Sequence, residues 1–297
     1  MSIQHFKDSP NTVAALKKAE LDWEVEVRDV KVPGASSGTD CFQAIVRKDN
    51  SHVLSIMKQR YVPIQNSEVF SICDDLISGS NRISSAGCYF DGRKSFVQVE
   101  LPDLQFDVVK NDTVQPYLTL LTSHDGSGTK GFYTATRLAC FNQMSSAMST
   151  GTHSFSIHHT RNASMRLAKA RAMIESASLS FEAMRDRCKS LQKMKINKSR
   201  VGEFVNELFP VKFTDDEKKN VRKSRMRDQL LDLIQTGRGT DIPGVKGTGW
   251  GLFNAATELF DHHSTIRNGM EPEVRSLFYG GDQFRSKVLK AIEVVAA

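Results

Sequence analysis

Between Trp23 and Thr160, apolar and polar positions mostly alternate with a period of two; beyond Asn162 the spacing lengthens to that of helices. Trp23, Val25 and Val27 alternate, and Val30 and Val32 continue on the other phase. That slip near Arg28–Asp29 predicts a bulge. "CFQAIVRKD" and "HVLSIMKQRY" predict two strands joined around Asn50–Ser51. "SSAGCYFDGRKSFVQVEL" predicts a hairpin, because Asp91–Gly92 supplies two residues that tolerate the positive φ of a type I′ turn. "QFDVVK", "YLTLLTS", "GFYTATRLAC" and "THSFSIHHT" add further strands, the second and third joined by the loop "HDGSGTK". A short helix is expected in "TVAALKKAEL", started by Asn11 or Thr12. Another is expected in "NSEVFSICDDLISG", capped by Asn66 or Ser67 and ended by Gly79.

Past Asn162, Leu167, Ala170, Ile174, Ala177, Phe181, Met184, Cys188 and Leu191 repeat with alternating steps of three and four. This seam predicts one long helix packed on the protein's own sheet. "SRVGEFVNELFP", "DDEKKNVRKSRMRDQLLDLIQTG" and "WGLFNAATELFDHH" predict three more helices. The expected fold class is therefore α+β: an antiparallel sheet of hairpins with a crossing helix and a long basic helix, followed by a helical C-terminal region. The expected division is an α+β core domain over residues 1–200 and a helical region over 201–297.

Charge sharpens this picture. The chain of 297 residues carries a net +6. Residues 161–200 hold eleven Lys/Arg against three acids, so this segment is +8 and the rest of the chain −2. A basic excess confined to one segment is the footprint expected of an anionic polymer partner. The five cysteines are far apart with no C-x-x-C pair, which argues against a thiolate zinc site or a disulfide framework. There is no signal-like start and no long apolar run. A cytoplasmic protein without a membrane partner is the expectation.

The candidate chemistry centres on "SFSIHHTRNASMRLAKARAM", residues 154–173. Alternation puts His159 on the Phe155/Ile157 face and His158 with Ser156 and Thr160 on the other, so the two rings cannot share one metal. No H-E-x-x-H or G-x-S-x-G motif occurs. The glycine-rich stretch 237–251 lacks the G-K-[ST] of a phosphate loop and follows no strand. No catalytic residue, metal or cofactor is expected, and the protein is read as a non-enzyme. Phosphate contact fits the stretch better. Asn162 suits a helix N-cap, and the first turns beyond it offer backbone N–H groups beside Arg161, Arg166 and Lys169. His159 is expected to be a core histidine with a hydrogen-bond partner. Basic and aromatic residues also interleave in "KQRY", "CYFDGRKSF" and "KGFYTATR", as single-stranded nucleic acid requires of its binders.

"MKQRYVPIQNSEVFSICDDL", "GCYFDGRKSFVQVELP", "LLTSHDGSGTKGF", "RLACFNQMSSAM", "IHHTRN" and "GTGWGLFNAATELFDHH" occur in this order. Together they resemble the phage/plasmid-like proteins grouped as a domain of unknown function. The order of hairpins, crossing helix and long helix is more distantly similar to the Red-beta and Rad-type single-strand annealing proteins. That resemblance implies a homo-oligomeric ring or filament holding single-stranded DNA in a basic groove. The groove candidates are Arg60, Arg93, Lys94, Lys130, Arg137, His158, Arg161, Arg166, Lys169 and Arg171. The leading expectation is a single-stranded DNA-binding and annealing protein acting in recombination. The alternatives are a phage- or plasmid-encoded factor that binds a host or phage protein, such as an inhibitor of a host defence system, and a metal-dependent nuclease relying on Asp107 or His159.

Overall fold

The computed structural model describes residues 2–8, 10–31, 41–77, 79–139, 142–144, 154–162, 177–210, 217–263 and 281–296. The fold is α+β. Its described packing forms two compact units, each assembled from separated stretches of chain. Unit 1 comprises Met1–Asp103, Tyr117–Tyr133 and His153–Ala177, and unit 2 comprises Leu104–Pro116, Thr134–Thr152 and Ser178–Ala297. No helix among the described residues is long and apolar enough to cross a membrane.

Unit 1 opens with strand β1 (Ser2–His5) and helix α1 (Thr12–Lys18). Asn11 caps α1, its side chain accepting from the Ala14 amide at 2.8 Å. Three antiparallel strands follow in the order β2 (Val25–Asp29), β3 (Phe42–Arg47), β4 (Val53–Lys58). Their inner face buries Trp23, Val25, Ile45 and Leu54 together with Tyr61. The expected bulge at Arg28–Asp29 does not occur: β2 pairs with β3 in unbroken register from Val25 to Asp29. β2 ends where the hydrophobic phase changes, and the slip lies between β3 and β4 at Ile45/Val46. Helix α2 (Asn66–Phe70) continues as a 3-10 turn over Ser71–Asp75. Asn66 is not its cap; that position is Gln65, and Asn66 is 1% exposed.

The second sheet of unit 1 is a meander of β5 (Arg82–Tyr89) and β6 (Lys94–Glu100), with β1 beside β5. The hairpin turn forms as expected: Asp91 and Gly92 have φ of 56° and 92°, and the Phe90 carbonyl accepts from the Arg93 amide at 3.1 Å. The loop is two residues wider than expected: β5 and β6 pair only up to Tyr89 and Lys94, and Phe90 is itself left-handed, with φ 54°. β6 pairs with Tyr117–Ser123 of β8 (Thr113–Ser123). β9 (Thr129–Arg137) follows, and Thr129–Phe132 of it pair with β11 (Ser154–Ile157). Gly128 is required at this junction. It has φ 81°, and a Cβ there would lie 2.5 Å from the Ile157 carbonyl oxygen.

Unit 2 takes the other ends of β8 and β9. β7 (Phe106–Asp107) pairs with Val114 and Thr113, and β10 (Asn142–Met144) pairs with Arg137 to Ala135. Its helices are α3 (Ala177–Lys193), α4 (Lys198–Leu208), α5 (Glu217–Thr236), α6 (Gly249–Glu258) and α7 (Gly281–Ala296). α3 buries Phe181, Met184, Cys188 and Leu191, as the described part of the predicted seam requires. The earlier seam residues, and the helix start expected after Asn162, lie outside the described residues. α4 docks Phe204, Val205 and Leu208 in the same core as Val288, Leu289 and Ile292 of α7. α6 is buried on every side and ends in a π-helical turn over Leu259–His263.

Candidate functional site

Three of the sequence stretches that carry the resemblance meet in unit 1. "YVPIQN" contributes Tyr61 and Asn66, "TSHDGS" contributes Thr122, His124 and Asp125, and "IHHT" contributes both histidines. Ile157 and His159 turn inward, while Ser156 and His158 face outward, as strand alternation requires. The His159 Nδ1 lies 2.8 Å from the Tyr61 hydroxyl, and its Nε2 lies 2.9 Å from the Thr129 hydroxyl. Thr129 also pairs with Thr122 at 3.0 Å. Both ring nitrogens are engaged and the residue is 3% exposed, so burial lowers its pKa to about 4. His159 is a neutral core histidine.

His124 is a second one. Its Nε2 faces the Asn66 Oδ1 at 3.2 Å, while the Asn66 amide donates to the Leu21 carbonyl at 3.1 Å. Asn66 must therefore accept, and His124 is the Nε2–H tautomer. Burial, and secondarily His159, lowers its pKa to about 3. The neighbouring Asp125 organises the turn: its carboxylate accepts from the Ser127 amide at 3.0 Å and hydroxyl at 2.6 Å. Burial works to raise the Asp125 carboxyl, but the Ser127 donors and the Lys94 ammonium at 3.7 Å outweigh it and hold it below its usual value.

This buried network forms one wall of a cleft of about 690 Å³. Tyr61, Gly126 and His159 line it from the network side, and His158 and Thr160 from the end of β11. The opposite side is sheet surface, where Phe42 pairs with Lys58 and Ala44 with Ile56 across β3 and β4, so that Phe42, Ile56 and Lys58 share one face. Arg60 follows at the end of β4. Phe42 and Ile56 are 40% and 52% exposed, which is unusual for large apolar side chains beside two exposed cations. No carboxylate is among the described residues lining the cleft. Chemically, the surface offers positive charge and flat apolar area together. Among the described residues, no three His, Cys, Asp or Glu side chains converge as a metal would require.

Of the residues singled out in the sequence, Arg60 and His158 line this cleft. Arg93, Lys130 and Arg161 are exposed on unit 1, Lys130 standing opposite Ser156 across β9 and β11. Lys94 is half-buried against Asp125 and supports the turn. Arg166, Lys169 and Arg171 lie outside the described residues. Arg137 is not a surface cation. It is 0% exposed, donating through Nε to Asp112 at 2.6 Å and through Nη1 and Nη2 to the carbonyls of Arg238 and Gly239, each at 3.1 Å. Asp112 also accepts from the Trp250 indole at 2.7 Å. A Cβ at Gly239, whose φ is 72°, would stand 2.8 Å from the Arg137 guanidinium. The glycine-rich stretch thus turns carbonyl oxygens toward a cation, the reverse of a phosphate loop, which presents N–H groups. Arg137 is removed from the groove by burial.

Residues that the sequence reading passed over are Phe42, Ile56 and Lys58. Lys58 opens the "KQRY" stretch, but a two-residue turn at Asn50–Ser51 would set Phe42 opposite Gln59; the bulge at Ile45/Val46 brings it opposite Lys58. Residues 53–278 match the family described as a domain of unknown function, DUF932. The chain belongs to this family. No curated protein matches the chain, and no solved structure matches it.

Proposed function

We propose that this DUF932 protein binds single-stranded DNA without catalysis, as an oligomer that anneals strands in the recombination of a phage or plasmid. The observation that supports this best is the cleft of unit 1, where Lys58, Arg60 and His158 stand beside exposed Phe42 and Ile56. Cations that track a phosphate backbone beside apolar surface that takes base and sugar are the two requirements of sequence-tolerant single-strand binding. The cations of Arg93, Lys130 and Arg161, all exposed on the same unit, extend the supply of phosphate contacts. Annealing asks for no catalytic group. It asks for strands held extended and neutralised, so that two of them can approach.

Binding of a fluorescent oligothymidine should weaken with salt, log K falling with a slope of about −0.7 for each phosphate neutralised. A Lys58→Glu, Arg60→Glu double variant should bind at least roughly tenfold more weakly and show a slope shallower by about 1.4. Salt-independent binding, or none at low salt, would overturn the reading. A protein-binding factor is the second reading, supported by Phe42, Val53 and Ile56, three exposed apolar side chains on one face of the β2–β4 sheet. Recovery of one stoichiometric protein partner, with no affinity for oligonucleotide, would favour it.

A further inference from the structure

Helix α5 carries its charge in two blocks. Its first eleven residues, Glu217–Arg227, hold six bases (Lys218, Lys219, Arg222, Lys223, Arg225 and Arg227) against one acid, a balance of +5. The nine that follow hold Asp228 and Asp232 and no base, a balance of −2. Helix stability does not ask for this order. Several of the bases stand three or four positions apart, Arg222 and Arg225 among them, where like charges repel along one face. The last turn, where a cation would meet the negative end of the helix, holds none.

Packing does not ask for it either. The residues that α5 buries, Leu230, Leu233 and Ile234, all lie in the second block. In the first block Arg227 is engaged. It donates through Nη1 to the Phe209 carbonyl at 2.7 Å and through Nη2 to the Asn206 side chain at 2.6 Å, which fastens the helix to the end of α4. Ahead of that clamp Val221 is 68% exposed, Arg222 and Arg225 are exposed and Lys223 is half-buried. None of these three cations is paired with a carboxylate among the described residues. α5 contains no aromatic residue, so it offers charge to phosphates and nothing on which a base could stack.

We propose that the N-terminal half of α5 is a binding surface for double-helical DNA, with Arg222, Lys223 and Arg225 on its phosphates. An α-helix with its side chains is about 10–12 Å across, and the major groove, about 12 Å wide, admits one. Phosphate contacts of this kind carry no need for an unpaired base. The cleft of unit 1 differs in this respect: its exposed Phe42 and Ile56 suit unpaired bases, and a paired base has no free face to give them. A surface of cations keeps its hold after two strands have paired. An anionic membrane suits this helix less well. A helix lying in a bilayer interface needs a broad apolar face, and Val221 is the one large apolar side chain exposed in this half among the described residues. The inference goes beyond the single-strand reading and stands on unit 2 alone.

The test uses the full chain and three probes: a fluorescent hairpin duplex, a fluorescent oligothymidine, and vesicles containing phosphatidylserine. The Arg222→Glu, Arg225→Glu protein should keep its Tm, since both side chains are exposed. It should bind the duplex at least roughly tenfold more weakly, with a salt slope shallower by about 1.8, the share of two phosphates on B-form DNA. Its oligothymidine affinity should be unchanged. Arg222→Gln, Arg225→Gln should lose the same slope, which separates lost contacts from new repulsion. If the wild type binds oligothymidine but not the duplex, the proposal falls and the single-strand reading stands. If it binds the duplex through α5 and no oligothymidine, that reading falls and the proposal stands. Equal loss of both nucleic acids in the Arg222→Glu, Arg225→Glu protein would make α5 part of the single-strand surface. Loss of vesicle binding with duplex binding intact would make its partner a membrane. Either result overturns the proposal.

Discussion

Replacing Arg137 by Met separates a surface cation from a structural one. The substitution keeps the length of the side chain and removes its charge. It leaves the Asp112 carboxylate, 0% exposed, with the Trp250 indole but without its cation, and it strips the donors from two backbone carbonyls of the glycine-rich stretch. Breaking a buried pair from one side costs about 3–5 kcal/mol. For a unit of this size that corresponds to a fall in Tm of roughly 6–20 °C. The two tryptophans provide the assay, since Trp23 lies in unit 1 and Trp250 in unit 2. In a Trp23→Phe background, indole fluorescence follows unit 2 alone. The double variant Asp112→Leu, Arg137→Met removes both charges and should unfold at a higher temperature than Arg137→Met, although the Trp250 N–H still loses its acceptor. At a temperature where Arg137→Met remains folded, its oligothymidine affinity should equal that of the parent. A fall in Tm below about 2 °C, or a loss of affinity with stability intact, would refute the placement of Arg137 as a core cation.

Acid should destabilise unit 1 in a defined window. The folded pKa values of His159 and His124, about 4 and about 3, lie below the ordinary 6.5, so the unfolded chain takes up protons that the folded one refuses. Their contribution is complete above pH 6.5 and is lost as pH falls through about 4 for His159 and about 3 for His124; about 3 kcal/mol of it goes by pH 5.5, and urea midpoints at pH 7.5 and 5.5 should differ accordingly. His159→Asn should flatten that dependence; an unchanged slope would count against burial as its cause. Gly128→Ala should destabilise by more than about 2 kcal/mol, because it combines a left-handed φ with a collision against the Ile157 carbonyl. A Tm equal to the wild type would show that β11 is free to shift.

The hairpins, the α+β order and the split of the two histidines were legible because each depends on residues within a few positions of one another. Period-two alternation decided His158 and His159, and the Asp91–Gly92 dipeptide decided its turn. What stayed illegible depends on distant partners. Asn66 has the character of a cap in its local sequence, but it is drawn inside by His124 and Leu21, each more than forty positions away. Arg137 reads as one more cation in a basic–aromatic stretch, because neither Asp112 nor the carbonyls a hundred residues downstream can be paired with it by spacing. The helix over Gly281–Ala296 was foreseen only as part of a helical region, without its own limits. Phe42 and Lys58 became neighbours only through a register that includes a bulge at Ile45/Val46.

The interleaving of the two units has a consequence for how the protein is made. Unit 1 is closed by β11 on β9, so a ribosome must deliver residues up to about Thr160 before the Tyr61–His159 contact can form. Unit 2 needs Asp112 and Arg137 from the middle of the chain before the Trp250 indole has an acceptor. Unit 1 can therefore close before most of unit 2 has been made, whereas the helices from residue 201 onward, produced alone, would carry an indole without its acceptor and a glycine-rich stretch arranged around a guanidinium that is not there. Fragments meant to isolate either activity or stability have to splice three stretches of chain rather than cut it once.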